Sequence, residues 1–171
     1  MSTVRKMTAA EKAKQQADAK HVVARNKRAF HDYHIEDKIE AGLVLTGTEV
    51  KALRAGRASL SESWVEIDRL EAWVQGANIP EYSHGTWTNH APKRKRKLLL
   101  HKKEIAKLSM KVQAKGYTIV PIELYFIRGR AKLEIALARG KQEWDKRQAL
   151  RLKQDNREAA KAMKDFARTR G

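Results

Sequence analysis

Apolar positions form short alternating blocks through the middle of the chain and thin out at both ends. Residues 39–46 carry Leu43, Val44 and Leu45 in a row and predict a strand. The pattern changes at Thr46-Gly47-Thr48-Glu49. Thr46 and Glu49 have the spacing of a capping box, Val50, Ala52 and Leu53 follow at helical spacing, and Gly56 is a stop. Residues 63–78 alternate through Trp64/Val65, Ile67, Trp73, Val74 and Ala77. An acidic connection from Asp68 to Glu71 divides them, which predicts a hairpin. Residues 80–97 hold Pro80, Gly85 and Pro92, end in Lys93-Arg94-Lys95-Arg96-Lys97, and are expected to be a mobile loop. Residues 98–116 place Leu100, Ile105, Leu108, Met110 and Val112 near helical spacing, with Gly116 as a stop. Residues 117–140 alternate strongly about a turn at Arg128-Gly129-Arg130, a second hairpin.

The ends differ. Residues 1–24 are rich in Ala, Lys and Gln and predict a disordered or weakly helical arm. Residues 26–38 mix basic, aromatic and acidic side chains and form an ordered lead-in. After Gly140 the residues are good helix formers. Leu152, Ala159, Met163 and Phe166 make only a thin stripe, too poor to hold a helix of about 45 Å by packing. That segment is expected to be unfolded alone and helical on a partner. The division is an arm over 1–25, a body over 26–140 and a tail over 141–171. About five or six strands and two short helices make the body mainly β. An OB-like closed antiparallel barrel with short flanking helices is the first candidate, because closure removes strand edges in a small domain. No internal repeat is found.

Charge narrows the function. In 171 residues there are 37 Lys+Arg against 20 Asp+Glu, a formal net charge of +17 and a sequence pI of about 10.2. Basic residues recur along the whole length, a distribution that an extended phosphate backbone uses best. With no cysteine, disulfides, thiolate catalysis and zinc–cysteine sites are excluded. The first twenty residues lack an apolar h-region and read as no secretory signal, and no stretch reaches the roughly 20 apolar residues of a membrane span. A cytoplasmic location is expected.

Candidate chemistry is sparse. The run at 93–97 reads as a loop tracking phosphates. Six histidines, His21, His31, His34, His84, His90 and His101, match no strong metal pattern. No metal or other cofactor is expected. Glu36, Asp37 and Glu40 lie close together and are the best candidates for a metal-dependent nuclease. Two rivals to plain RNA binding therefore stand: an RNA-processing enzyme using that cluster, and a ribosome-associated basic structural protein. Glu49 has a structural explanation in the capping box. Spacing alone makes Glu40 a solvent-facing strand residue beside Ala41-Gly42.

Three stretches change this. "NKRAFHDYHIEDKIEAGLVLTGTEVKALRAG", "KLLLHKKEI" and "ALARGKQEWDKR" closely resemble the small protein B family, the SsrA-binding proteins, in order and spacing. The resemblance runs from about Asn26 to the end. It implies an OB-type barrel with a tail that is disordered in solution. It also implies an activity of binding rather than chemistry. Such a protein holds the tRNA-like domain of transfer-messenger RNA (tmRNA), in place of the missing anticodon arm. With elongation factor Tu it brings alanyl-tmRNA to the vacant A site of a stalled ribosome. The tail then folds to a helix along the empty messenger channel.

The resemblance also assigns residues. Glu40 falls where the family has a carboxylate needed for tmRNA binding, which reverses the reading from spacing. Leu99 and His101 fall in the second RNA-binding segment, Lys132 matches a basic strand residue, and Asn26, Lys27 and Arg28 open the first motif and join the RNA-binding set. His31 falls where a histidine approaches the decoding centre. Gly140 and Lys141 match the hinge between barrel and tail. Asp145, Lys146 and Arg147 match the tail tripeptide implicated in accommodation, and Met163 an apolar position that grips the channel. Phe30 stands where Arg or Lys is frequent and Gln142 where Lys is usual. Each loses one cation among many, at a screening length of about 8 Å, so modest weakening is expected. Trp144 is an unusual residue at the start of the tail and favours stacking or packing there.

Overall fold

The computed structural model describes residues 8–85, 89–114, 116–141 and 143–169. Seven strands and five helices follow in the order α1 (Ala9–Ala17), β1 (His21–Arg25), α2 (Lys27–Asp32), β2 (Tyr33–Leu43), α3 (Gly47–Arg54), β3 (Trp64–Asp68), β4 (Glu71–Gln75), β5 (Arg96–Leu99), α4 (Lys102–Val112), β6 (Tyr117–Ile127), β7 (Arg130–Gly140) and α5 (Glu143–Thr169). The strands form one antiparallel sheet in the order β1-β6-β3-β4-β5-β2-β7, and β6 also pairs with β7. Six strands are thereby joined in a circuit, with β1 added to the outer half of β6.

The two predicted hairpins are present. Val65 faces Val74 across β3–β4, and β6–β7 pairs from Tyr117↔Arg139 to Ile127↔Arg130. Arg128 and Gly129 both have positive φ, so they, rather than three residues, make the second turn. Pro121 lies inside β6, where a missing N–H would break a ladder. The chain bulges there, between Pro121 and Glu123, and Asn26 fills the gap. The Asn26 amide Nδ2 donates to the Pro121 carbonyl (2.9 Å), and its backbone N–H donates to the Ile122 carbonyl (2.8 Å).

Several boundaries move. The arm assigned to 1–25 contains α1, opened by a Thr8–Glu11 capping box, and β1, whose residues 21–25 pair with β6. The lead-in at 26–38 is α2 and the first half of β2. The loop at 80–97 ends inside β5, and the helix begins at Lys102 rather than residue 98.

The core lies on the inner face, where Ala41, Leu98, Leu124, Leu133, Ile135 and Leu137 meet Leu53 of α3 and Leu108 of α4. Each buried Leu or Ile side chain contributes about 1.5–3 kcal/mol by leaving water. A smaller cluster on the opposite face of β6–β7 takes Ala29 of α2 against Val120, Ile122, Ala136 and Ala138. Glu49 and Arg96 are also fully buried, as an ion pair between α3 and β5. In contrast, every residue from Arg147 to Thr169 is exposed. Among the described residues, no helix is long and apolar enough to cross a membrane.

Candidate nucleic-acid interface

Period-2 alternation sets the site. Ala41 and Leu133 point into the core, so Glu40 on β2 and Lys132 on β7 point outward on the same sheet surface. Register puts Gly42 opposite both Lys132 of β7 and Leu99 of β5. The Leu99 side chain lies across Gly42: a Cβ added there would stand 3.1 Å from Leu99 Cβ. His101, the N-cap of α4, follows two residues later.

These four residues, 92 positions apart at the extremes (40 to 132), line one open groove of about 540 Å³. Leu99 is 56% exposed and the His101 side chain 89% exposed. Lys97 and Lys102 add cations, while Glu71 and Glu104 add carboxylates, so the groove is chemically mixed rather than a plain basic slot.

Glu40 is held from below. The Tyr125 hydroxyl on β6 donates to Glu40 Oε2. Burial and this bond to a carboxylate both push the Tyr125 phenol up, so it stays a donor. Lys20 covers the ring, with Nζ 4.1 Å from the centroid, and also pairs with Glu123. A carboxylate fixed by one oxygen leaves the other to accept from base amines or ribose hydroxyls, which a lysine cannot do.

The remaining assigned residues do not join this groove. Asn26 is buried and engaged with the fold: its side chain caps α2 by accepting from Ala29 N–H (3.2 Å) and donates to the Pro121 carbonyl (2.9 Å). Lys27 and Arg28 are exposed on α2. Arg28 pairs with Asp32 (3.3 Å) and lines a different groove with Tyr33 and Trp64. The run at 93–97 is divided, with Lys93 and Lys95 exposed and Lys97 lining the groove. Arg96 is buried, and Arg94 donates to Glu49.

A second cluster forms at the end of the sheet. His31 Nδ1 is 2.9 Å from Asp32 Oδ1, and Lys146 Nζ of α5 is 3.7 Å from the same oxygen. The His31 hydrogen bond, helped by Lys146 and Arg28 against slight burial, holds the Asp32 carboxyl below its ordinary range. Gly140 pairs with Tyr33. Lys141 donates from its backbone N to the Asp32 carbonyl (2.9 Å) and from Nζ to the Phe30 carbonyl (3.0 Å). His31, Gly140, Lys141 and Lys146 are thus neighbours, whereas Arg147 and Met163 are exposed along α5. The Trp144 and Asp145 side chains and Gln142 lie outside the described residues.

The nuclease candidates are kept apart by different partners. Glu36 accepts from the Tyr117 hydroxyl (3.1 Å), Asp37 from Lys111 Nζ (2.6 Å), and Glu40 from Tyr125. Among the described residues, no group of three acidic or histidine side chains is placed to share a metal.

One residue of the groove escapes a sequence reading. Leu70 is 73% exposed and sits at the β3–β4 turn with φ 61°, after Arg69 at φ 49°. Its signal is chemical misfit: a two-residue turn that favours Asn-Gly instead holds Arg-Leu.

Comparison with known proteins gives a consistent picture. A family model described as "SmpB protein" matches residues 23–165. The SsrA-binding protein of Bifidobacterium longum (strain DJO10A) is 68% identical over 144 residues, covering 84% of this chain and 91% of that protein. The SsrA-binding protein of Leifsonia xyli subsp. xyli (strain CTCB07) is 65% identical over 142 residues, covering 83% and 90%. A solved structure described as "tmRNA-SmpB: a journey to the center of the bacterial ribosome" is 45% identical. It has a TM-score of 0.61 and covers 75% of this chain and 94% of that one.

Proposed function

We propose a function from one premise: the chain belongs to the SmpB protein family. It is an SsrA-binding protein. It binds the tRNA-like domain of tmRNA and delivers it to stalled ribosomes, where incomplete peptides are tagged and the ribosome is released. Its partners are tmRNA and the ribosome, and its activity is binding.

The observation that carries the site assignment is the groove. Glu40, Leu99, His101 and Lys132 come from two long strands, a short strand and a helix cap, yet line one cleft. We read the circuit of six strands as an OB-like closed barrel that holds these residues in fixed relation. In this reading Glu40 accepts from RNA donors, Lys132 meets phosphate, and Leu99 and His101 lie against bases.

The cluster of His31, Gly140, Lys141 and Lys146 is the hinge and faces the decoding centre. The tail beyond it, including Asp145, Arg147 and Met163, is disordered in the free protein and takes its helix along the ribosome's messenger path. Exposure of every residue from 147 to 169 supports this, since such a helix gains nothing from packing until a partner covers it. Elongation factor Tu joins indirectly, through alanyl-tmRNA.

Truncation after Gly140 tests this division. The expected result is an affinity for a tRNA-like-domain transcript within about threefold of the full chain, with tagging of stalled peptides lost. A truncated protein that loses RNA affinity would refute the assignment of binding to the body.

A further inference from the structure

Leu99 separates two unlike grooves. On one side is the mixed groove of Glu40, His101 and the charged side chains of Glu71, Lys97, Lys102, Glu104 and Lys132. On the other is a smaller groove of about 270 Å³ that shares Gly42, Leu99 and Lys132 with the first, so the two adjoin. The smaller groove is walled by Leu43, Leu45, Val50 and Phe126. Its charged lining residues, Arg130 and Lys132, are both cations, and no carboxylate lines it. Leu43, Leu45 and Val50 are packed on the core yet keep part of their surface in water.

We infer that this apolar groove receives one unpaired nucleobase of the same RNA, drawn out of its stack and wedged against the far side of Leu99. The inference rests on the function proposed above and extends its footprint. Three features carry it. The groove adjoins the RNA groove across three shared lining residues. Its walls suit the faces of a base, which are apolar, while the mixed groove suits base edges and ribose hydroxyls. Its two cations complement the phosphates that flank an extruded nucleotide, and the absence of carboxylates leaves that anion unopposed. The position of Leu99 then has a reason. An apolar side chain standing clear of the surface over a glycine acts as a wedge between two bases, a use of leucine seen where proteins unstack nucleic acid.

The test uses the full chain and a transcript of the tRNA-like domain of tmRNA at fixed salt. Leu45→p-benzoylphenylalanine, irradiated in the complex, is expected to crosslink to a nucleotide in a single-stranded loop. Leu45→Ser is expected to weaken binding at least about fivefold, the lower end of what one stacked base is worth. The slope of log affinity against log salt changes by no more than the two cations of the groove, Arg130 and Lys132, would contribute. Glu40→Gln is the control. If it weakens binding while Leu45→Ser does not, and the crosslink falls on a duplex nucleotide, on protein or nowhere, the inference is overturned and the function stands. If wild-type protein fails to bind the transcript at all, the function itself falls. Should Leu45→Ser unfold, the crosslinked nucleotide alone decides between these outcomes.

Discussion

Glu40 and Glu49 stand nine residues apart (49 − 40) at the two ends of one apolar stretch, and the fold treats them in opposite ways. Glu49 is fully buried. Its carboxylate accepts from Thr46 N–H at the start of α3 (2.9 Å) and from Arg94 and Arg96. Burial alone would raise its pKa. The donors Arg94, Thr46 and Arg96 outweigh burial and hold it at about 2. Glu40 is exposed, with one donor, Tyr125, beneath it. One carboxylate closes a network inside the protein; the other keeps an oxygen available outside it. A chain with such an excess of cations can use acids for both purposes, and the number of donors already satisfied tells them apart.

The comparison breaks first at Glu49. Glu49→Gln leaves buried guanidinium charge uncompensated and is expected to cost about 3–5 kcal/mol of stability, measured by urea unfolding at neutral pH. The pH dependence has a definite sign. Because the folded-state pKa is depressed, the stabilisation is fully present above 4.5 and is lost as pH falls from there toward about 2. The gap between wild type and variant should therefore narrow over that range. A gap independent of pH would mean that the ion pair does not carry the stability.

Glu40 should behave in the reverse manner. Glu40→Gln keeps an acceptor for Tyr125, so its unfolding free energy should stay within about 0.5 kcal/mol of wild type. Its affinity for the tRNA-like domain should drop about tenfold or more, since a hydrogen bond to a charged group is worth about 1.5–3 kcal/mol. A variant that unfolds early and binds normally would exchange the roles of the two residues.

The smallest effect sharpens the same contrast at the β3–β4 turn. Arg69 and Leu70 occupy left-handed backbone that costs each of them energy. Arg69→Asn with Leu70→Gly is expected to stabilise the protein by about 1 kcal/mol, read as a rise in Tm. The same change removes an apolar wall from the groove, so RNA affinity should fall by a few fold. Stability and binding moving in opposite directions would mark Leu70 as held in strain for the groove.

Much of the body is legible from local pattern. The hairpins at 63–78 and 117–140, the Thr46–Glu49 box and the helix reaching Val112 each depend on neighbours in sequence. Strand β5 is not legible, because Arg96 occupies an inward position and Leu99 an outward one. Both invert the apolar alternation for reasons that lie elsewhere: Arg96 answers Glu49, 47 residues earlier, and Leu99 serves the groove. Strand β1 is hidden for a related reason. Five residues with only two valines make a strand because β6 offers an edge. For the site, spacing alone leaves Glu40 anonymous. The resemblance to a family, not the local pattern, raises it, along with Leu99, His101 and Lys132. Asn26, a motif residue grouped with the RNA ligands, is engaged at the bulge at Pro121, which its sequence neighbours do not reveal.

Seen by an approaching polyanion, residues 93–97 are not five charges in a row. Arg96 faces inward, Arg94 leans on Glu49, Lys97 is 3.2 Å from Glu71, and Lys95 rests 4.6 Å above the Trp73 ring. The protein therefore draws nucleic acid from a distance by its summed field rather than by one sticky ribbon. A chain without such a ribbon has less to detain it on the wrong transcript, and its choice among RNAs is left to contacts made only after arrival.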